Sequence, residues 1–218
     1  MFKAIAFDLD GVITDTANYH YQAWKALGKD LGISIDRQFN EELKGISRMA
    51  SLEKILAFGN KENQLSDTQK KELAAKKNAH YLSLIKKISP KDILPGISDL
   101  LVELKEAKIQ LVIASASKNA PIILDGLGIK DYFDAIIDPD SLANGKPDPE
   151  IFTRSAEVLG LSPSDLIGIE DSAAGIQSIN GANMFSVGVG DATSMREADS
   201  RLPSTAGLSL DYLIRVFN

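Results

Sequence analysis

The sequence predicts an α/β fold: a doubly wound, mostly parallel sheet of Rossmann type, with a helical cap domain inserted near its start. Three observations predict it. Short apolar runs alternate with helix-like stretches from residue 93 onward, the signature of right-handed βαβ units. Strand-like runs vanish between residues 16 and 92. A first apolar run precedes that gap, so a core domain at 1–15 and 93–218 is interrupted by a cap domain at 16–92.

Lys3 to Phe7 is a short apolar run ended by Asp-Leu-Asp-Gly, which reads as a buried strand feeding a loop. In the insert, ANYHYQAWKALGKDLG, SLEKILAFG and SDTQKKELAAKKNAHYLSLIKKI show helical spacing between caps and breakers. After ISPKDILPG, helix and strand alternate through ISDLLVELKEAK, IQLVIAS, PIILDGLG and DAIID. The same alternation continues through PEIFTRSAEVLG, LIGIED, AAGIQSING and MFSVGVG. Asp191 to Ser209 reads as loop with a short strand, and DYLIRVF as a terminal helix. Hinges are expected near Asp15–Thr16 and near Ile93–Pro95, which would let the insert act as a lid.

With 218 residues, 44% of them hydrophobic and 25% charged, the chain is long enough to bury a substantial core. It has no cysteine, which excludes disulfides and thiolate metal sites. A formal net charge of -6 argues against nucleic acid as a partner, because backbone phosphates want a basic face. No apolar run reaches membrane-spanning length and KAIAF is too short for the core of a signal peptide. The expected setting is therefore cytoplasmic, with no membrane partner. An anionic small substrate would need cations supplied locally.

Four strand ends carry the unusual residues. In an open parallel sheet, ligands sit outside the carboxyl ends of the strands. Asp8 and Asp10 end the first strand; Ser115, Ala116, Ser117, Lys118 and Asn119 follow IQLVIAS; Lys146 lies in NGKPDP after DAIID; Glu170 and Asp171 end LIGIED. Read singly, each has a plain structural role: Asp8 or Asp10 in a turn, Ser115 and Ser117 or Asp171 as helix caps, Lys146 as a solvated charge. Read together, several carboxylates meet one lysine in one crevice. Such hard oxygen ligands suit Mg²⁺, which keeps waters and completes its shell from a phosphate.

These motifs, D-x-D-G, a serine after the second strand, lysine in GKPDP and the acidic pair in GIEDS, resemble the haloacid dehalogenase superfamily of phosphoryl-transfer enzymes. The resemblance runs the length of the chain. It implies Asp8 as the nucleophile that becomes an aspartyl phosphate and Asp10 as general acid and base. It implies Mg²⁺ held by Asp8, the Asp10 main-chain carbonyl and Asp171, with Glu170 as a further or outer ligand. Ser115 and Lys146 would bind the transferring phosphoryl group.

GVITDTANYH, FNEELKGISR, ASLEKIL, KKN, LPGI and ASASKNAP resemble the sugar-phosphate mutases of that superfamily, which interconvert β-glucose 1-phosphate and glucose 6-phosphate. The implied partner is a small sugar phosphate, with β-glucose 1,6-bisphosphate as intermediate and activator, acting on a monomer. Arg48, Ser117 and Asn119 would hold the phosphate that is not transferred, with Lys118 and Ala116 nearby. His20 would bond near Asp10 and the sugar, Lys77 would support it, and Thr16 at the hinge would set Asp10. Trp24, Leu43, Gly45 and Ser51 would line the cap's substrate side, and Arg48 is expected in a glycine-containing connection from which it swings. Read alone, His20 is more often an inert histidine, and Arg48 reads as a solvated charge. The rivals are a phosphatase on the same core, in which water attacks the phosphoenzyme, and a binding protein with a dead site.

Overall fold

The computed structural model describes residues 2–43 and 46–217. In chain order, β1 (Ala4–Phe7) is followed by α1 (Ala17–Asp30), α2 (Arg37–Glu41), α3 (Arg48–Phe58) and α4 (Asp67–Ile85). Then come α5 (Ile97–Glu106), β2 (Gln110–Ile113), α6 (Ala120–Leu127), β3 (Ala135–Ile136) and α7 (Glu150–Val158). The chain closes with β4 (Leu166–Glu170), α8 (Ala173–Gly181), β5 (Phe185–Val189), β6 (Ser200–Leu202) and α9 (Leu210–Phe217). It divides into two compact units, one running to Asp15 and again from Ile88, the other Thr16–Lys87.

The first unit is built on a six-stranded sheet in the order β3-β2-β1-β4-β5-β6, parallel at every pairing. β1 lies at its centre, with Phe7 facing Ile113 on one side and Ile169 on the other. The chain first builds outward from β1 through β2 and β3, then returns to lay β4 on the opposite flank. The order reverses at β1, and a parallel sheet places its ligand crevice beyond the carboxyl ends of the strands at such a point.

The strands are apolar on both faces because helices cover both. Ala4 and Ala6 pack with Val112, Ile151, Phe152, Ile176 and Ile179, beneath α7 and α8. Ile5 and Phe7 alternate with them, point to the other face and are equally buried. On that side Phe7 meets Phe133 edge to face, with ring centroids 6.1 Å apart.

The second unit is helical. α1 and α3 pack on α4 around Trp24, Leu27, Ile33, Ile35, Leu52, Ile55 and Leu56. Its helices start where side chains satisfy their first amides. Asp36 accepts from the Phe39 amide at 2.7 Å, and Ser47 from the Ala50 amide at 3.2 Å. Ser66 and Gln69 form a reciprocal box, the Ser66 amide donating to Gln69 Oε1 at 2.8 Å and the Gln69 amide to Ser66 Oγ at 3.3 Å. α2 has too few residues to show a helical period and was not distinguished in the sequence.

The helical unit ends at Lys87, earlier than the residue 92 expected from the pattern. Side-chain and backbone links explain the difference: Thr14 Oγ1 donates to the Asp92 carbonyl at 2.7 Å and the Leu94 amide to the Ile13 carbonyl at 2.9 Å. The segment before Pro95 is thereby tied to the loop after β1, within the first unit.

Candidate active site

Asp8 follows β1, and its amide donates to the Ile169 carbonyl of β4 at 2.9 Å, which sets it beside the end of that strand. The turn after it closes on Gly11, whose φ of +77° only glycine adopts at little cost. A methyl at Gly11 would also fall within the Asp171 carboxylate. Lys146 Nζ sits 2.7 Å from Asp8 Oδ1 and 2.7 Å from Glu170 Oε2. Glu170 Oε1 accepts from the amides of Asp171 and Ser172 and from Ser172 Oγ, at 2.9, 3.1 and 3.0 Å. A methyl at Gly175 would likewise fall within the Glu170 carboxylate, so the first turn of α8 admits that side chain because residue 175 is glycine.

The cluster is buried and short of positive charge. Asp8 is 4% exposed, Lys146 4% and Glu170 0%. Burial raises the Asp8 carboxyl, the neighbouring Glu170 and Asp10 push it further, and Lys146 only partly opposes them, so it stands at about 7. Burial acts to lower Lys146, but the carboxylates of Asp8 and Glu170 outweigh it and hold the ammonium above an ordinary lysine. Lys146 therefore stays charged and is still outnumbered.

Asp8, Glu170 and Asp171 each bring one carboxylate oxygen to within 4.8 Å of the others. An octahedral ion with oxygens at about 2.1 Å separates its ligands by roughly 3 to 4 Å, so the three would draw in slightly to hold one Mg²⁺. The donor set is hard oxygen throughout, and a divalent cation would offset the burial and the neighbouring acids that raise the Asp8 carboxyl. The sequence left Asp171 open as a helix cap. Ser172 takes that role, its hydroxyl accepting from the Gly175 amide at 3.1 Å.

Beyond β2 the chain makes two successive short turns. Ser115 Oγ accepts from the Ser117 amide at 3.1 Å and Ser117 Oγ from the Asn119 amide at 3.3 Å. Neither serine caps α6, which begins after Asn119 with proline in its first turn. The Ala114 amide donates to the Phe7 carbonyl at 2.8 Å, so these hydroxyls stand at the same sheet edge as Asp8. Lys118 forms an exposed ion pair with Asp140. Lys146 is buried, which removes the alternative of a solvated charge.

The helical unit holds a second polar group. Lys77 is 2% exposed, and its Nζ lies 2.7 Å from His20 Nδ1 and over the rings of Trp24 and Tyr81, 4.5 and 4.8 Å from their centroids. An ammonium can only donate, so Nδ1 accepts and the imidazole proton sits on Nε2. Tyr81 Oη donates to Thr16 Oγ1 at 3.0 Å, and its ring lies 4.1 Å from that of His20. Burial, then the charges of Lys77 and Arg48, hold His20 well below its ordinary value.

This fixes the sign of a pH effect. A histidine that stays neutral when folded binds fewer protons than the unfolded chain once pH falls below about 6.5, so stability is lost from there downward. The expected slope is at most about 1.4 kcal/mol per pH unit. Denaturant melts at pH 7.0, 6.0 and 5.0 should show it in the native chain and show it reduced in His20→Gln.

Trp24 and Leu43 belong to the interior cluster of this unit, and Ser51 Oγ donates to the Ser47 carbonyl at 3.1 Å. Arg48 opens α3 and does not lie in a glycine-containing connection, because Ser47 caps the helix directly before it. Gly45 lies outside the described residues. Tyr81 was missed by sequence reasoning. Its signal was the spacing from Lys77, one helical turn away on the same face of α4.

A parallel sheet with an acid–lysine–acid cluster at its central strand ends is a phosphoryl-transfer architecture, and the family comparison agrees. Residues 2–183 match the model of haloacid dehalogenase-like hydrolases, and the chain belongs to that family. It is 51% identical to the β-phosphoglucomutase of Bacillus subtilis over 97% of this chain and 93% of that protein. A crystal structure of a β-phosphoglucomutase from Clostridium difficile matches with a TM-score of 0.99 at 51% identity, covering 100% of this chain and 98% of that one. A phosphorylated carbohydrates phosphatase of Thermotoga maritima is 26% identical over 84% of this chain and 82% of that protein.

Proposed function

We propose that this chain is a β-phosphoglucomutase, interconverting β-D-glucose 1-phosphate and D-glucose 6-phosphate through an aspartyl phosphate and β-glucose 1,6-bisphosphate. The observation that carries the reading is 51% identity to such an enzyme over nearly the whole chain, together with the buried Asp8–Lys146–Glu170 cluster. Asp8, the Asp10 carbonyl and Asp171 would hold Mg²⁺, with Glu170 as outer support. Mg²⁺ supplies charge neutralisation at the phosphoryl oxygens and at Asp8.

In the first half-reaction a sugar hydroxyl attacks the phosphorus of Asp8 phosphate. Its proton passes to Asp10, the bond to the Asp8 carboxylate breaks, and the bisphosphate forms. In the second, Asp8 attacks the other phosphate of the same intermediate and Asp10 returns the proton to the departing sugar oxygen. Lys146 and Ser115 hold the transferring oxygens throughout. A mutase needs a second phosphate site, and Arg48, Ser117 and Asn119 supply it, with Lys118 and Ala116 beside them.

In the helical unit, Lys77 fixes His20 in one tautomer with the proton on Nε2, which would serve Asp10 and the sugar, and Thr16 at the hinge would help to set Asp10. Water is excluded when substrate closes the helical unit over Asp8 phosphate, which is what separates transfer from hydrolysis. The setting is the cytoplasm, with small sugar phosphates as partners of a monomer, and no nucleic acid is involved.

The test is activation. With β-glucose 1-phosphate and Mg²⁺ alone, glucose 6-phosphate should appear after a lag, and a trace of the 1,6-bisphosphate should abolish it. A progress curve indifferent to the bisphosphate would contradict the scheme.

A further inference from the structure

The loop that carries Lys146 into the cluster is held by a side chain outside it. Glu150, the first residue of α7, turns its carboxylate back along the chain. Its Oε1 accepts from the Ala143 amide at 2.9 Å and its Oε2 from the Asn144 amide at 2.7 Å. Asp148 Oδ1 accepts from the Glu150 amide at 3.0 Å, and the Asp148 amide donates to the Gly145 carbonyl at 3.1 Å. Ser178 of α8 donates to the Asp148 carbonyl at 2.6 Å. The loop is thus gripped on both sides of residue 146, by α7 before it and α8 after it.

An acid in the first turn of a helix is ordinarily explained by the helix dipole. Glu150 does more. Two consecutive amides on its two oxygens fix the direction in which the chain approaches Lys146. These amides hold the carboxyl below the usual range, because they bond to its charged form. Lys146 has to place one ammonium 2.7 Å from two different carboxylates, and a displaced loop cannot satisfy both contacts at once.

We infer that Glu150 is a positioning residue for the reaction: by binding the Ala143 and Asn144 amides it fixes the loop that delivers Lys146 between Asp8 and Glu170. The inference rests on the reading of Lys146 as part of the reacting cluster. Without Glu150 the ammonium withdraws, the transferring phosphoryl group loses its cation, and the carboxylates gain net negative charge. Phosphorylation should slow while Mg²⁺ binds more tightly.

The test is a double-mutant cycle on the full chain with Glu150→Ala, Lys146→Ala and both together. It is read by calorimetric titration with Mg²⁺ and by the rate of Asp8 phosphorylation from acetyl phosphate. Lys146→Ala should tighten Mg²⁺ about 10-fold and slow phosphorylation at least about 100-fold; Glu150→Ala should move both the same way, about 3-fold and about 10-fold. In the Lys146→Ala background Glu150→Ala should change either quantity by less than about 1.5-fold. Glu150→Gln keeps one acceptor oxygen and should fall between, and it carries the same cycle if the alanine variant does not fold.

An effect of Glu150→Ala as large without Lys146 as with it would overturn the inference, as would no effect in either background. Should Lys146→Ala itself alter neither readout, the assignment of Lys146 has failed, and the two failures are told apart.

Discussion

Asp8→Asn is expected to abolish turnover with every phosphate donor while leaving the fold intact. An amide is no nucleophile toward phosphorus at neutral pH, and the Asp8 carboxylate lies against Lys146 while its backbone amide is tied to β4. Stability should not suffer with activity. Burial and the neighbouring acids already raise the Asp8 carboxyl to about 7, so the metal-free protein gains little from its charge. A neutral asparagine fits the same volume. Thermal melts without Mg²⁺ should place the variant within a few degrees of the native chain or above it, while phosphoenzyme formation from acetyl phosphate falls below detection. Measurable phosphorylation of the variant would remove Asp8 from the mechanism.

Asp10→Asn should divide the two kinds of donor. Acetyl phosphate has a leaving group that departs without a proton, so phosphorylation of Asp8 should stay within a few-fold of native. Transfer to or from a sugar oxygen needs the proton that Asp10 carries, and should fall by about 10²–10⁴-fold. Asp10 lies two residues beyond Asp8 in the turn that returns through the bond from the Gly11 amide to the Thr14 carbonyl, 2.8 Å. Rapid-quench measurement of phosphoenzyme with each donor checks the split. Equal losses with both would mean that Asp10 matters for the site's architecture and not for proton transfer.

Most of this site could be read from the sequence because its residues are chemically out of place. Aspartate, lysine and glutamate at the ends of apolar strands are costly without a partner, and the alternation of strands and helices says which ends meet. The sheet and the helical interruption followed from the same periodicity. What stayed hidden depends on single side-chain contacts that have no period. The boundary at Lys87 is set by Thr14 reaching the Asp92 carbonyl, and Ser172 caps α8 where Asp171 was an equal candidate. Tyr81, which carries its hydroxyl to Thr16, and Glu150, which holds two amides with its carboxylate, went unmarked for the same reason.

The position of Lys77 shows the limit well. Its sequence context, KKN on a long polar helix, is that of a surface charge, yet it is buried over Trp24 and Tyr81 and bonded to His20. Composition gives no hint of that; the resemblance of the flanking motifs did.

The measurement that tests the central claim most directly follows two products in one tube. β-Glucose 1-phosphate, Mg²⁺ and a trace of the 1,6-bisphosphate are supplied, and glucose 6-phosphate and free phosphate are measured together. Glucose 6-phosphate forming faster than free phosphate by about 10²-fold or more is the expected result, because the phosphoenzyme then passes its group to sugar and not to water. Free phosphate appearing as fast as, or in place of, glucose 6-phosphate would contradict it and make the chain a phosphatase.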